Sequence, residues 1–198
     1  MAYNDFNLRA AREKFGLSLR EDADLYGDIA EVEVSPWLRG FLAKWSPAAV
    51  AMNTEKARSE MIIAPILMEA VEASDHRFNL FSGLSLDVDK DRGLSGVCDY
   101  LLALSPKWFF LSHPVVAVVE AKREDIPTGL GQCVAAMVGA RAFNEREGLP
   151  GTVVHGAVTT GSIWRFLKLE GDRVLIDLPE YYLHQVGKIL GILLSIAG

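Results

Sequence analysis

Asp99 and the run Glu120-Ala121-Lys122 place charge where the chain is otherwise apolar. The acid Asp99 sits inside Val97-Cys98-Asp99-Tyr100-Leu101-Leu102-Ala103-Leu104. Glu120 and Lys122 close the run Pro114-Val115-Val116-Ala117-Val118-Val119. Charged side chains seldom enter buried strands unless they are paired or hold a metal. Alternation along a strand puts Asp99 with Val97 and Leu101 on one face, and Val118, Glu120 and Lys122 on one face. If the two strands are neighbours, the carboxylates converge. At about 4 Å they repel by roughly 4 kcal/mol at an effective dielectric near 20. A structural role gives no reason to accept that cost, whereas a divalent cation reverses its sign. Mg²⁺ is commonly held by one or two carboxylates, with water and substrate phosphate completing its shell. Two acids and a lysine on two strands are therefore the ingredients of a metal-dependent phosphodiesterase site, with Lys122 beside the ion to act on a water and on transition-state charge. The competing reading is an ion pair at a strand end, facing solvent.

The elements needed to position these groups are legible. A capped helix is expected from Asn53 or Thr54 to about Ala73, kinked or broken at Pro65, with Met61, Ile62, Ile66, Leu67, Ala70 and Val71 facing inward. Three strands follow at 78–88, 94–104 and 115–122. A helix over 126–147 ends at Gly148, Pro150 and Gly151, and a fourth strand covers 152–159. The first three strands suit an antiparallel meander, and the helical crossover suits a parallel fourth strand. A hairpin of 163–169 with 173–178 and a helix over 179–196 complete the chain. Residues 1–53 read as an extension packed on the core. They carry a short helix near 6–15, an acidic stretch over 21–33, and a helix over 37–45 that Pro47 interrupts. The expectation is one α/β domain over 1–198, with a core at 54–160 and a C-terminal hairpin and helix at 161–198.

In that order the chain resembles the PD-(D/E)XK nuclease superfamily, whose pattern is a helix bearing Glu, Asp on the second strand, Glu-X-Lys on the third, and a following helix that often bears Gln. Glu60, Asp99, Glu120-Ala121-Lys122 and Gln132 occupy those places, over roughly residues 54–160. The likeness is nearest to archaeal resolvase or type I restriction subunit nuclease domains. Cys98 stands where the pattern has proline, and the connection containing Trp108, Phe109 and Phe110 is long. Glu-X-Lys alone is common; its combination with the other positions carries the resemblance. It implies a restriction-endonuclease-like mixed sheet flanked by helices, with an α-β-β-β-α-β core. It implies that Asp99, Glu120 and the Ala121 carbonyl bind Mg²⁺ or Mn²⁺, and that Glu60 supports a water or a second ion. Gln132 would position Lys122 or a phosphate, and DNA would be the partner.

Composition sets the alternatives. The chain has 198 residues, half of them hydrophobic, and a net charge of −6. No global positive field attracts nucleic acid, which leaves DNA binding to local placement of charge. Lys56, Arg58, Arg123, Arg141 and Arg146 are candidates to ring the site. A non-catalytic DNA-binding or regulatory protein that keeps the fold is the alternative function. Cys98 and Cys133 read as reduced, buried thiols. Gly129-Leu130-Gly131 imitates a dinucleotide loop only in part, since Val134 takes the third glycine position. No signal peptide or membrane span is expected, which suggests a cytoplasmic protein. The helix with Ile189, Leu190, Ile192, Leu193 and Leu194 is apolar on more than one face, which suggests either enclosure by its own domain or a homodimer seam.

Overall fold

Apolar runs at strand period alternate with capped helices, and the chain folds as those signals direct. The computed structural model describes residues 1–104 and 109–198. In chain order the elements are α1 (Leu8–Phe15), β1 (Ser18–Ala23), α2 (Pro36–Met52), α3 (Glu55–Arg58), a π-helical turn (Ser59–Ile63), α4 (Ala64–Ala73), β2 (Asn79–Ser85), β3 (Val97–Ala103), β4 (Val115–Ala121), α5 (Ile126–Arg146), β5 (Val154–Thr159), β6 (Ile163–Glu170), β7 (Arg173–Asp177), β8 (Tyr181–Tyr182) and α6 (Val186–Ala197). Among the described residues this is an α/β protein with an open, mixed, eight-stranded sheet in the order β1-β7-β6-β5-β4-β3-β2, with β8 also pairing β6.

The central part follows the expected order. β2, β3 and β4 form an antiparallel meander. The α5 crossover then returns β5 parallel to β4, with Glu120 opposite Val158. Strands buried on both faces need cover on both, and helices supply it. Ile62, Ile66 and Leu67 pack with Ile189 and Leu193 of α6 against one face. Val134, Met137 and Val138 of α5 pack with Tyr3, Phe6 and Ala11 against the other.

The departures lie mainly in the flanks. The N-terminal extension contributes β1, which pairs parallel with β7 from Ser18 opposite Arg173, so Ser18–Ala23 join the sheet as an edge strand. Pro47 does not interrupt its helix. It occupies an exposed position in α2, as does Ala43, whose carbonyl loses its i+4 donor, so water can replace that bond. The break at Pro65 takes the form of the π-helical turn that precedes it, where Ala64 N–H donates to the Ser59 carbonyl five residues back. The segment from 179 begins as a strand, because Tyr181 and Tyr182 pair with Trp164 and Ile163; only from Val186 is it α-helical. Phe109 and Phe110 are exposed, and Trp108 lies outside the described residues.

Ile189, Leu190, Ile192 and Leu193 are buried within the chain's own core, so α6 is enclosed by its domain and its apolar surface no longer argues for a dimer seam. Among the described residues no helix is long and apolar enough to cross a membrane.

Candidate active site

The β3–β4 ladder stops one pair before the charged residues meet. Tyr100 pairs with Val119, and the next pair would be Asp99 with Glu120. There the strands part. Asp99 turns one oxygen onto the Ala121 N–H at 2.8 Å, satisfying a backbone donor that no ladder bond reaches. The gap opens into a cavity of about 210 Å³ lined by Glu55, Ser59, Gly83, Asp99 and Ala121.

Glu120 has no solvent exposure. Its Oε2 accepts from Gln132 Nε2 at 2.7 Å and lies 4.0 Å from Lys122 Nζ. Its Oε1 is buried and has no hydrogen-bond partner among the described residues. Burial drives the Glu120 carboxyl well above the usual carboxylate range, and the Asp99 charge pushes it higher. The Lys122 ammonium opposes that rise. The two acids are thus close neighbours. Without a cation, holding a proton relieves their repulsion.

Lys122 is fixed from two sides. Its Nζ donates to Gln132 Oε1 at 3.0 Å, and its backbone N–H donates to the Thr159 carbonyl at 2.8 Å. Gln132 therefore joins acid and base, its amide nitrogen toward Glu120 and its carbonyl oxygen toward Lys122. Gly129 makes room for the lysine. A Cβ there would stand 2.5 Å from Val158 Cγ1 and 3.0 Å from Lys122 Cγ. Gly129 and Gly131 both lie inside α5, so they form no phosphate-cradling loop.

Glu60 is not among the residues lining the cavity. Its side chain is 56% exposed and pairs with Lys56 Nζ at 2.8 Å. The helical acid that lines the cavity is Glu55, whose charge also raises the Glu120 pKa. Ser59 stands one turn after Glu55 and bonds the Tyr100 hydroxyl at 2.6 Å. Sequence reasoning missed both. The signal was Thr54, whose side chain caps the turn through the Ala57 N–H at 3.1 Å. That cap places Glu55 in the first turn and Ser59 four residues on, on the same side.

The basic candidates divide. Lys56 lines the cavity. Arg58 is buried and bonds the Thr160 carbonyl and Ser162 Oγ. Arg123 pairs with Glu124 at 3.4 Å. Arg141 and Arg146 bond the carbonyls of Gly171 and Val88, far along α5 from Gln132. Cys98 and Cys133 are buried and free, and burial raises both thiol pKa values, which suits packing rather than chemistry.

No group of three His, Cys, Asp or Glu side chains converges on a metal position among the described residues. The donor set is two carboxylates and a backbone carbonyl, beside a cavity with room for water. That is enough for a hard cation that keeps several waters. The orphaned Glu120 oxygen next to a second acid fits such an ion.

No family model, curated protein or solved structure matches the chain.

Proposed function

We propose that this chain is a divalent-metal-dependent phosphodiesterase that hydrolyses DNA, on a restriction-endonuclease-like scaffold of the PD-(D/E)XK kind. The observation that carries the reading is the meeting of Asp99 with a wholly buried, half-partnered Glu120, beside a lysine held in place by Gln132. The α-β-β-β-α-β order and the parallel β5 support the same reading. Asp99, Glu120 and the Ala121 carbonyl would hold Mg²⁺ or Mn²⁺, with Glu55 near enough to bind a water or a further ion. When bound, such an ion offsets phosphate charge and makes water more acidic.

The chain's own residues supply the rest. Lys122 holds a positive charge beside Glu120, and would act where charge develops on a transferring phosphoryl group. Gln132 keeps that ammonium from collapsing onto Glu120. Asp99, tied to the Ala121 amide, keeps its remaining oxygen lone pairs aimed at the gap.

One observation favours a second reading, a non-catalytic protein with this architecture: Glu120 is fully enclosed and is not among the residues that line the cavity. The test joins cleavage with metal binding. Wild type should cut single-stranded, duplex or branched DNA with Mg²⁺ or Mn²⁺. Lys122→Ala should lose at least about 100-fold in rate while keeping its melting temperature and most of its metal affinity. Calorimetric titration with Mn²⁺ should show weaker binding by Asp99→Asn. Equal affinity would remove Asp99 as a ligand, and a wild type that cuts none of these substrates would favour the second reading.

A further inference from the structure

α2 carries a row of large apolar side chains beside its core face. Trp37, Phe41 and Trp45 repeat every four residues, with successive ring centroids 5.6 and 6.4 Å apart. Met52 stands seven residues further on. At 3.6 residues per turn all four fall within roughly 80° of arc. Trp37 is 50% exposed, Trp45 39% and Met52 55%, whereas Leu38, Leu42 and Ala49 bury the adjoining core face. Single exposed apolar residues are ordinary on a protein surface; an aligned aromatic row is a surface built for contact.

Charge indicates what it contacts. α2 carries no acid, and Lys44 borders the row; its other cation, Arg39, lies on the far side of the helix and bonds the Val34 carbonyl, and Glu69 and Glu72 share a pocket with Trp37 at the distal end of the row. Lys44 Nζ lies 5.2 Å from the Trp45 ring centroid. The row also runs toward the candidate site. Met52 precedes Glu55 of the cavity by three residues, and between them Asn53 Nδ2 donates to Glu124 Oε1 at 2.6 Å, two residues past Lys122.

We infer that this row is a stacking platform for unpaired bases, which leads a single-stranded segment of nucleic acid into the cavity. Aromatic faces stack any base, and interspersed cations follow the phosphates. Trp37 to Trp45 span about 12 Å of helix, the length of a few stacked bases. Bases in an intact duplex are already stacked on each other and offer no faces to the row. The inference rests on the phosphodiesterase reading and narrows its substrate class to strands with an unpaired stretch.

Fluorescence anisotropy tests it, with a fluorescein-labelled oligo(dT) of about 20 nucleotides and a blunt duplex of equal length, in EDTA so that neither is cut. Wild type should bind the oligonucleotide more tightly than the duplex, with quenching of its tryptophan emission. Trp37→Ala/Trp45→Ala should lose about tenfold or more in affinity, and Trp37→Phe/Trp45→Phe should retain most of it. A double alanine variant with a wild-type melt and wild-type binding overturns the inference. So does a wild type that prefers the duplex or binds neither. Light scattering that shows a wild-type dimer and a monomeric double alanine variant assigns the row to a second copy of the chain, and also overturns it. Cleavage assays on the same proteins separate the two readings. Binding through the row without cleavage keeps the platform and removes the catalysis. Cleavage that is indifferent to Trp37 and Trp45 keeps the catalysis and removes the platform.

Discussion

Glu120 and Asp177 are both carboxylates with no solvent exposure, and burial raises the pKa of both. Their surroundings differ. Asp177 accepts from the Leu25 N–H at 2.7 Å on one oxygen and from the Tyr181 hydroxyl at 2.8 Å on the other, and these bonds pull its pKa back down. Nearby, Tyr26 bonds His155 Nδ1 at 2.8 Å, and Lys188 Nζ reaches the carbonyls of Tyr26, Gly27 and Ile29. Every partner in that region is a group the fold itself must satisfy, and the result is a clamp that ties residues 24–29 to the sheet. At Glu120 one oxygen is left without a donor and the next acid is close by. A buried polar group left unsatisfied is costly. The contrast teaches that burial of an acid does not by itself mark a site. The incomplete set of partners does.

The comparison breaks most sharply under substitution. Asp177→Ala strands the Leu25 N–H and the Tyr181 hydroxyl, and should destabilise the metal-free protein by about 2–4 kcal/mol in urea melts. Glu120→Gln removes an incompletely paired buried acid while keeping its shape, and should leave stability unchanged or raise it by about 1 kcal/mol. Equal losses in the two variants would erase the distinction.

A somewhat smaller effect comes from pH. Burial, helped by the Lys168 ammonium and opposed by Glu170, lowers the His155 pKa to about 4 from 6.5. As pH falls below about 6.5 the unfolded chain binds a proton that the native ring refuses until about pH 4. The contribution is therefore complete above the upper value and is lost on acidification through the window, by up to about 3 kcal/mol. His155→Gln should flatten stability against pH between those limits. A slope identical to wild type would place the acid sensitivity elsewhere.

The smallest contrast concerns the two helical acids. Glu60→Ala removes an exposed i,i+4 pair and should change stability by no more than about 0.5 kcal/mol, with little effect on cleavage. Glu55→Ala should weaken Mn²⁺ binding by several-fold, since its charge acts on Glu120. The reverse outcome would return the role to Glu60.

The parts of this arrangement that follow strand period were legible in the sequence. Asp99, Glu120 and Lys122 interrupt or follow apolar runs, and the antiparallel pairing of β3 with β4 runs up to Tyr100 and Val119, one residue short of Asp99 and Glu120. Gln132 was legible as a polar residue in the first two turns of the helix that follows β4. Phase along the preceding helix was less legible. A regular α-helix sets Glu55 and Glu60 about 140° apart, but the π-helical turn that changes their phase against the core is not announced by anything local in Ser59-Glu60-Met61-Ile62-Ile63. β1 was hidden by its charged residues Arg20, Glu21 and Asp22, which an edge strand tolerates and a buried one does not. The clamp on Asp177 was hidden mainly because one of its partners, Leu25, lies 152 residues away, and that separation leaves no local trace.

The π-helical turn at Ser59–Ile63 also acts as a phase shifter between two surfaces with different owners. Downstream, Ile66, Leu67 and Ala70 are locked to the core. Upstream, Glu55 and Lys56 serve the cavity. Removing a single residue from the turn would let ordinary α-geometry resume and rotate the upstream surface by about 100° relative to the core. Such a deletion would leave the hydrophobic packing nearly whole while turning the cavity's helical side chains away, so the length of the chain at this point sets which side chains face the cavity.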